Sequence, residues 1–327
     1  MVRFGRRRFL TAVGATGALA TPLGRTSLEG ITVSTGPTER LLSLEPPDFP
    51  ENLGFDAEGN LYVGITSGEI RRGPRELTDE TGLERDDTEP VATFPGGVGG
   101  VSVDDGTVYA AVRPENDDPS GAYAIDADVN GEADPELLGA ISGFPNDLLV
   151  DADDERLLVT ESSMGRVYSV SLDGDDAEDE EAPVWSEGSL LAGEGSEGSF
   201  GANGLTFFGE GVLVANTDFG RLVYVPIDSE DDAGDPAIYV ERDGLVGADG
   251  ITAWGPIVYV AANRQNEVVR VLPNGKILLT AADADNGLQF PSDVVFGTVE
   301  GQRTDLFVCN FAVQADDPEP GVLRTGF

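Results

Sequence analysis

The stretch GANGLTFFGEGVLVANTDFGRLVYVPID, residues 201–228, recurs with altered letters as GADGITAWGPIVYVAANRQNEVVRVLP, residues 247–273. Each copy reads as an apolar strand, a tight Gly-containing turn, a Val-rich second strand and, after a polar turn, a third. The segments lack the three-and-four spacing of apolar residues that marks a helix. One polar position ahead of the second Gly differs: Asn203 in the first copy, Asp249 in the second. The repeat keeps its scaffold and varies one slot.

The same unit occurs four more times. ENLGFDAEGNLYVGIT begins at Glu51, GGVSVDDGTVYAAV at Gly99, NDLLVDADDERLLVTES at Asn146 and SDVVFGTVEGQRTDLFVCNF at Ser292. The six starts lie 48, 47, 57, 46 and 43 residues apart. A period in the forties with four short strands per unit is that of a β-propeller blade. The expected fold is all-β, a six-bladed β-propeller over residues 28–327. ERLLSL before the first copy and GVLRT near the end can pair in one blade and close the ring, which removes the open edge. The longest step contains DGDDAEDEEA and EGSLLAGEGSEGSFGA, both read as surface loops, the second placed to overhang the channel mouth.

Composition narrows the function. Of 327 residues, 60 are acids against 20 Lys plus Arg, a formal net charge of −40, and Lys276 is the single lysine. A disordered acidic chain would lack regular apolar strands. This chain has them throughout, so the acids read as the solvated surface of a folded protein adapted to concentrated salt, as in an extreme halophile. Such a charge argues against nucleic acid or anionic membranes as partners. There is no histidine. Its absence excludes Ser-His-Asp and Cys-His catalysis and His-ligated zinc. Cys309 stands alone in the apolar LFVCNF, so it forms no intramolecular disulfide and reads as a buried small hydrophobe.

The N-terminal GRRRFLTAVGATGALATPLG reads as a twin-arginine export signal over residues 1–27, with Arg6-Arg7 as the pair and Phe9-Leu10 following it. Its apolar part is too short to span a bilayer comfortably. The protein is therefore expected outside the cell, free or attached to the surface, with no membrane span after signal removal. A closed ring needs no partner to cover its edges, so a monomer is expected.

In a propeller the innermost strands line the channel. The first residue of each repeat is then expected at one rim: Glu51, Gly99, Asn146, Asn203, Asp249 and Ser292. Two carboxylates and two carboxamides converging on an axis supply hard oxygen donors suited to Ca²⁺, or to Mg²⁺ or Mn²⁺. The same residue types also favour strand-entry turns with no ligand at all. Asp147 and Asp293 are expected to point away, since successive strand residues face opposite sides. A second set, Glu161, Asn216, Asn263 and Asn310, ends the second strands near the same rim. These residues either shape a substrate pocket or bond their own turns. Phe207, Phe208 and Trp254 are expected between blades, and Asp218 on the acidic surface.

The order of these motifs, Glu51 in the first blade, Asn146-Asp147 in the third, Asn203-Gly204 in the fourth and Asp249-Gly250 in the fifth, resembles the regucalcin/gluconolactonase family of six-bladed propellers. Its superfamily includes diisopropylfluorophosphatase-like phosphotriesterases. The resemblance covers essentially the whole chain after the N-terminal segment. It implies a divalent-metal site with Glu51, Asn203 and Asp249 as ligands. Asn146 would be a further ligand or a substrate contact, and Asp249 the candidate base or nucleophile. Gluconolactonase-type members carry an Arg two residues before the third-blade Asn, where Phe144 stands here, and the channel His of the phosphotriesterase relatives is absent. The implied activity is calcium-dependent hydrolysis of lactones or related esters, a small-molecule substrate meeting a metal-activated water; Asn216 and Asn263 of the second set are weaker candidates for substrate contacts. The alternative is a non-catalytic propeller that binds a ligand or protein partner, any metal being structural.

Overall fold

A computed structural model describes residues 38–127, 131–174, 181–228 and 232–326. The twin-arginine segment lies outside the described residues, as do residues 175–180 of the acidic run.

Six small sheets radiate from a channel, and each sheet is one blade. The innermost strands are Pro50–Phe55, Gly96–Asp104, Pro145–Asp151, Ala202–Phe208, Ala248–Trp254 and Pro291–Phe296. Each turns back antiparallel into the strand that follows it, as where Leu205 faces Val214 and Ile251 faces Val260. The sixth blade closes the ring. Its fourth strand is Thr38–Ser43, which pairs antiparallel with Gly321–Gly326, Thr38 opposite Thr325, and carries the short strand Leu83–Glu84 parallel on its outer side. The closure expected from ERLLSL and GVLRT is therefore present.

The core is distributed between blades. Leu213, Ala215 and Leu222 of blade four pack on Ile251, Val258 and Val260 of blade five. At the closure, Phe55 and Phe307 lie 4.8 Å apart between ring centroids, in one cluster with Leu53, Val63 and the fully buried Cys309. Each such side chain contributes about 1.5–3 kcal/mol through burial. Phe207 and Trp254 depart from expectation, being 40% and 45% exposed. They stand at or next to the ends of their innermost strands, although Trp254 still packs across to the next blade on Phe296 at 4.9 Å. Phe208 is half-buried against Tyr239.

One irregularity positions the site. Every innermost strand breaks register at the same place, between Pro50 and Asn52, Val98 and Gly100, Pro145 and Leu148, Ala202 and Leu205, Ala248 and Ile251, and Pro291 and Val294. A bulge of this kind leaves residues unpaired and re-aims their side chains.

Candidate active site

The bulge builds two tiers at the axis. In the lower tier stand the residues that follow each rim position: Asn52, Gly100, Asp147, Gly204, Gly250 and Asp293. Asp147 accepts the Leu205 N–H of the next blade at 3.0 Å, and Asp293 accepts the Leu53 N–H at 2.9 Å. Asn52 accepts the Val101 N–H at 2.8 Å and donates to Asp147 at 3.1 Å. Each polar side chain thus ties its strand to the following blade. Glycine occupies the remaining positions because the strands touch there: a Cβ on Gly204 would lie 2.4 Å from the Asp249 carbonyl oxygen. Asp147 and Asp293 therefore do not point away from the channel. Strict alternation fails for them because the bulge adds a residue.

Above this tier, Glu51, Asn146, Asn203 and Asp249 line one cavity of about 360 Å³. Their orientation is set by residues just past the second strands. Asn146 Nδ2 donates to Ser162 Oγ at 2.9 Å, and Asn203 Nδ2 donates to Thr217 Oγ1 at 3.0 Å. Tethered by nitrogen, each carboxamide turns its oxygen away from the hydroxyl. Asn263 Nδ2 donates to Asp249 Oδ2 at 2.9 Å. Glu51 Oε2 is buried with no hydrogen-bond partner among the described residues.

Four acids crowd this axis. Burial holds the Glu51 carboxyl well above the usual range, repulsion from Asp249 and Asp293 adds to it, and Arg113 opposes it. Asp147 is pushed up to about 8, first by burial and then by Asp293, against the pull of the Leu205 and Leu148 amides. Asp249 rises to about 7 by burial, with Asn263 acting the other way and Asp293 adding repulsion. Burial raises Asp293 to about 6. Such a cluster is relieved by protons or by a cation. Among the described residues no group of three His, Cys, Asp or Glu side chains could hold a metal ion, so a cation here must also draw on carboxamide oxygens. The orphaned Glu51 oxygen and the two tethered asparagines fit that donor set.

The mouth of the cavity holds residues that sequence reasoning missed. Arg113 lines it, with its guanidinium 3.6 Å from the centroid of the Phe144 ring. Phe200 meets Phe144 edge-on at 5.2 Å. Phe200 belongs to the loop expected to overhang the channel, and Asp218 fixes that loop. Asp218 Oδ2 accepts from Ser199 Oγ at 2.6 Å, Phe200 N at 3.0 Å and Glu194 N at 3.1 Å. Asp218 is thus a loop anchor with its side chain 7% exposed, and not surface charge.

The second-strand set divides. Asn216 is fully buried and donates to the Leu190, Leu191 and Ala192 carbonyls, away from the cavity. Glu161 accepts the Phe144, Ser163 and Met164 N–H groups, and Asn310 accepts the Gln289 N–H. These three pin turns. Asn263 sits one register position later, since Ala248 faces Ala262 where Ala202 faces Asn216. It aligns with Thr217 and Ser162 and lines the cavity.

Residues 39–72, spanning the closing strand of blade six and most of blade one, match a family profile described as strictosidine synthase-like, N-terminal. No curated protein sequence matches the chain. Among solved structures, a luciferin-regenerating enzyme aligns with TM-score 0.65 and 13% identity over 89% of this chain and 95% of its own. A gluconolactonase from Xanthomonas campestris aligns with TM-score 0.61 and 15% identity, over 88% and 89%. Regucalcin from Agrobacterium tumefaciens, a calcium-binding protein, gives TM-score 0.61 and 15% identity, over 85% and 89%. At these identities the likeness is one of fold, and the fold is the six-bladed β-propeller.

Proposed function

We propose that this chain is an exported hydrolase of lactones or related esters that depends on a divalent cation, Ca²⁺ first among the candidates. The observation that carries the proposal is the buried, unpartnered Glu51 Oε2 on the same cavity as Asp249 and the tethered Asn146 and Asn203. Those four residues would hold the ion. A cation bound there supplies Lewis acidity, polarising a carbonyl oxygen and lowering the pKa of a water. The chain supplies the rest. Asp249, held near neutrality and oriented by Asn263, is placed to accept a proton at Oδ1 or Oδ2. Phe200 and Phe144 exclude water from one wall. The acidic composition and the Arg6-Arg7 segment support export into a salt-rich medium. The solved gluconolactonase and regucalcin of like fold support the chemistry by analogy.

Calorimetric titration of Ca²⁺ into chelator-treated protein in concentrated KCl tests the centre. One site in wild type, lost in Asp249→Ala, is expected, together with Ca²⁺-dependent turnover in a lactone and ester panel. Absence of binding in wild type sinks the proposal. Binding without turnover across the panel leaves a ligand-binding propeller whose metal is structural.

A further inference from the structure

In blades three, four and five, the side chain just past the second strand bonds the rim residue of its own blade: Ser162 with Asn146, Thr217 with Asn203, and Asn263 with Asp249. Arg113 holds that position in blade two, one step past the pairing of Val98 with Val112. Its rim partner is Gly99, which has no side chain, and a Cβ there would lie 2.7 Å from the Asn146 carbonyl oxygen. Arg113 therefore has nothing in its own blade to bond. One face of the guanidinium is taken by Phe144. Its edge N–H groups meet no acceptor among the described residues, and no carboxylate there comes within ion-pairing distance, although Glu51 and Glu115 attract it from farther off. The other described arginines each have a side-chain hydrogen bond or an ion pair, as Arg75, Arg242, Arg270 and Arg303 do to backbone carbonyls. Arg264 on the same wall, by contrast, is paired with Asp218 at 3.5 Å.

Resting on the hydrolase reading of this cavity, we propose that Arg113 binds a carboxylate of the substrate, whose body is apolar. A planar carboxylate matches the free edge of a guanidinium through two parallel hydrogen bonds. Phe144 with Phe200 stands beside it, and Phe290 with Phe311, 6.2 Å apart, lines the same cavity from blade six. These rings suit an aryl or alkyl body. The substrate class is thus an amphipathic ester or lactone with a free carboxylate.

The probes are 3-phenylpropionate, its neutral amide and gluconate, titrated at fixed ionic strength into Ca²⁺-loaded wild type, Arg113→Met and Arg113→Lys. Methionine keeps an apolar side chain over Phe144 without the charge. In wild type, 3-phenylpropionate is expected to bind about tenfold or more tightly than the amide, as for a desolvated charge-assisted pair, and more tightly than gluconate. Arg113→Met should erase the acid–amide difference, Arg113→Lys should keep part of it, and both should retain Ca²⁺ binding. Equal affinity for acid and amide in wild type, or binding of neither, overturns the assignment. So does a preference that survives in Arg113→Met, which would put the anion on the cation. An Arg113-dependent preference in a protein that turns over no ester would retire the hydrolase reading and leave the anion site standing.

Discussion

Asp293 accepts two backbone amides, from Leu53 and Val294, and is still pushed up to about 6, because burial at the axis outweighs both. Asp147, at about 8, obeys the same balance more strongly. An unfolded aspartate titrates near 3.8, so between about pH 4 and 8 the metal-free fold holds more protons than the unfolded chain. Its stability should therefore be full below about pH 4 as far as these groups are concerned, and fall as pH rises from there through the folded values of about 6 and 8. In chelator-treated protein, Asp293→Asn should flatten that fall by on the order of 2–3 kcal/mol. Saturating Ca²⁺ should flatten it in wild type as well. Denaturation midpoints across pH 4 to 9 are the measurement; a metal-free wild type that grows more stable over that range would contradict the axial account. At this scale Glu51, Asn146, Asn203 and Asp249 were legible as an ordered set of polar slots. Arg113 was not, because its meaning comes from the missing side chain of Gly99 and from Phe144 in another blade.

Among elements, the loop from Gly193 to Gly201 shows how a single carboxylate can shape a wall. Three donors, Ser199 Oγ and the Phe200 and Glu194 amides, converge on Asp218 Oδ2. Asp218→Ala leaves them without an acceptor and frees Phe200 from its place beside Phe144. A loss of about 1–3 kcal/mol is expected, with new proteolytic cleavage confined to residues 193–200 and Ca²⁺ affinity unchanged. An unaltered cleavage pattern would show that the loop is held by something else. The bulge is the other element-scale feature, and it hid in the sequence. Period-two alternation assigns Asp147 and Asp293 to the outside of the channel, and one inserted residue per strand reverses that. The same blindness to register grouped Asn263 with Asn216, although pairing puts them one position apart and only Asn263 on the cavity.

At the scale of the whole molecule, ring closure rests on Thr38–Ser43 against Gly321–Gly326, the two ends of the described chain. Without the first of these strands, the edge of Gly321–Gly326 is left with unpaired amides and carbonyls. Deleting residues 1–44 should lower the melting temperature and drive the protein into oligomers, seen by light scattering after size exclusion. Deleting residues 1–27 should do neither. If the longer deletion remains a monomer of unchanged melting temperature, the closure does not hold the ring. Among the described residues no helix is long and apolar enough to cross a membrane.

Repetition determined the architecture from sequence alone. Six units of about the same length, each with alternating apolar strands and Gly-rich turns, have few ways to bury their faces other than by stacking around a ring. The order of rim residues followed, since one repeat position maps to one place in each blade. Tertiary structure decided what those positions meet. It turned the lower acids inward through the bulge, tethered the rim asparagines by nitrogen, and left Arg113 unpaired over Phe144. Contacts of that kind join residues 14 to 240 positions apart, and no local pattern carries a distance that only the folded blades and the closed ring create.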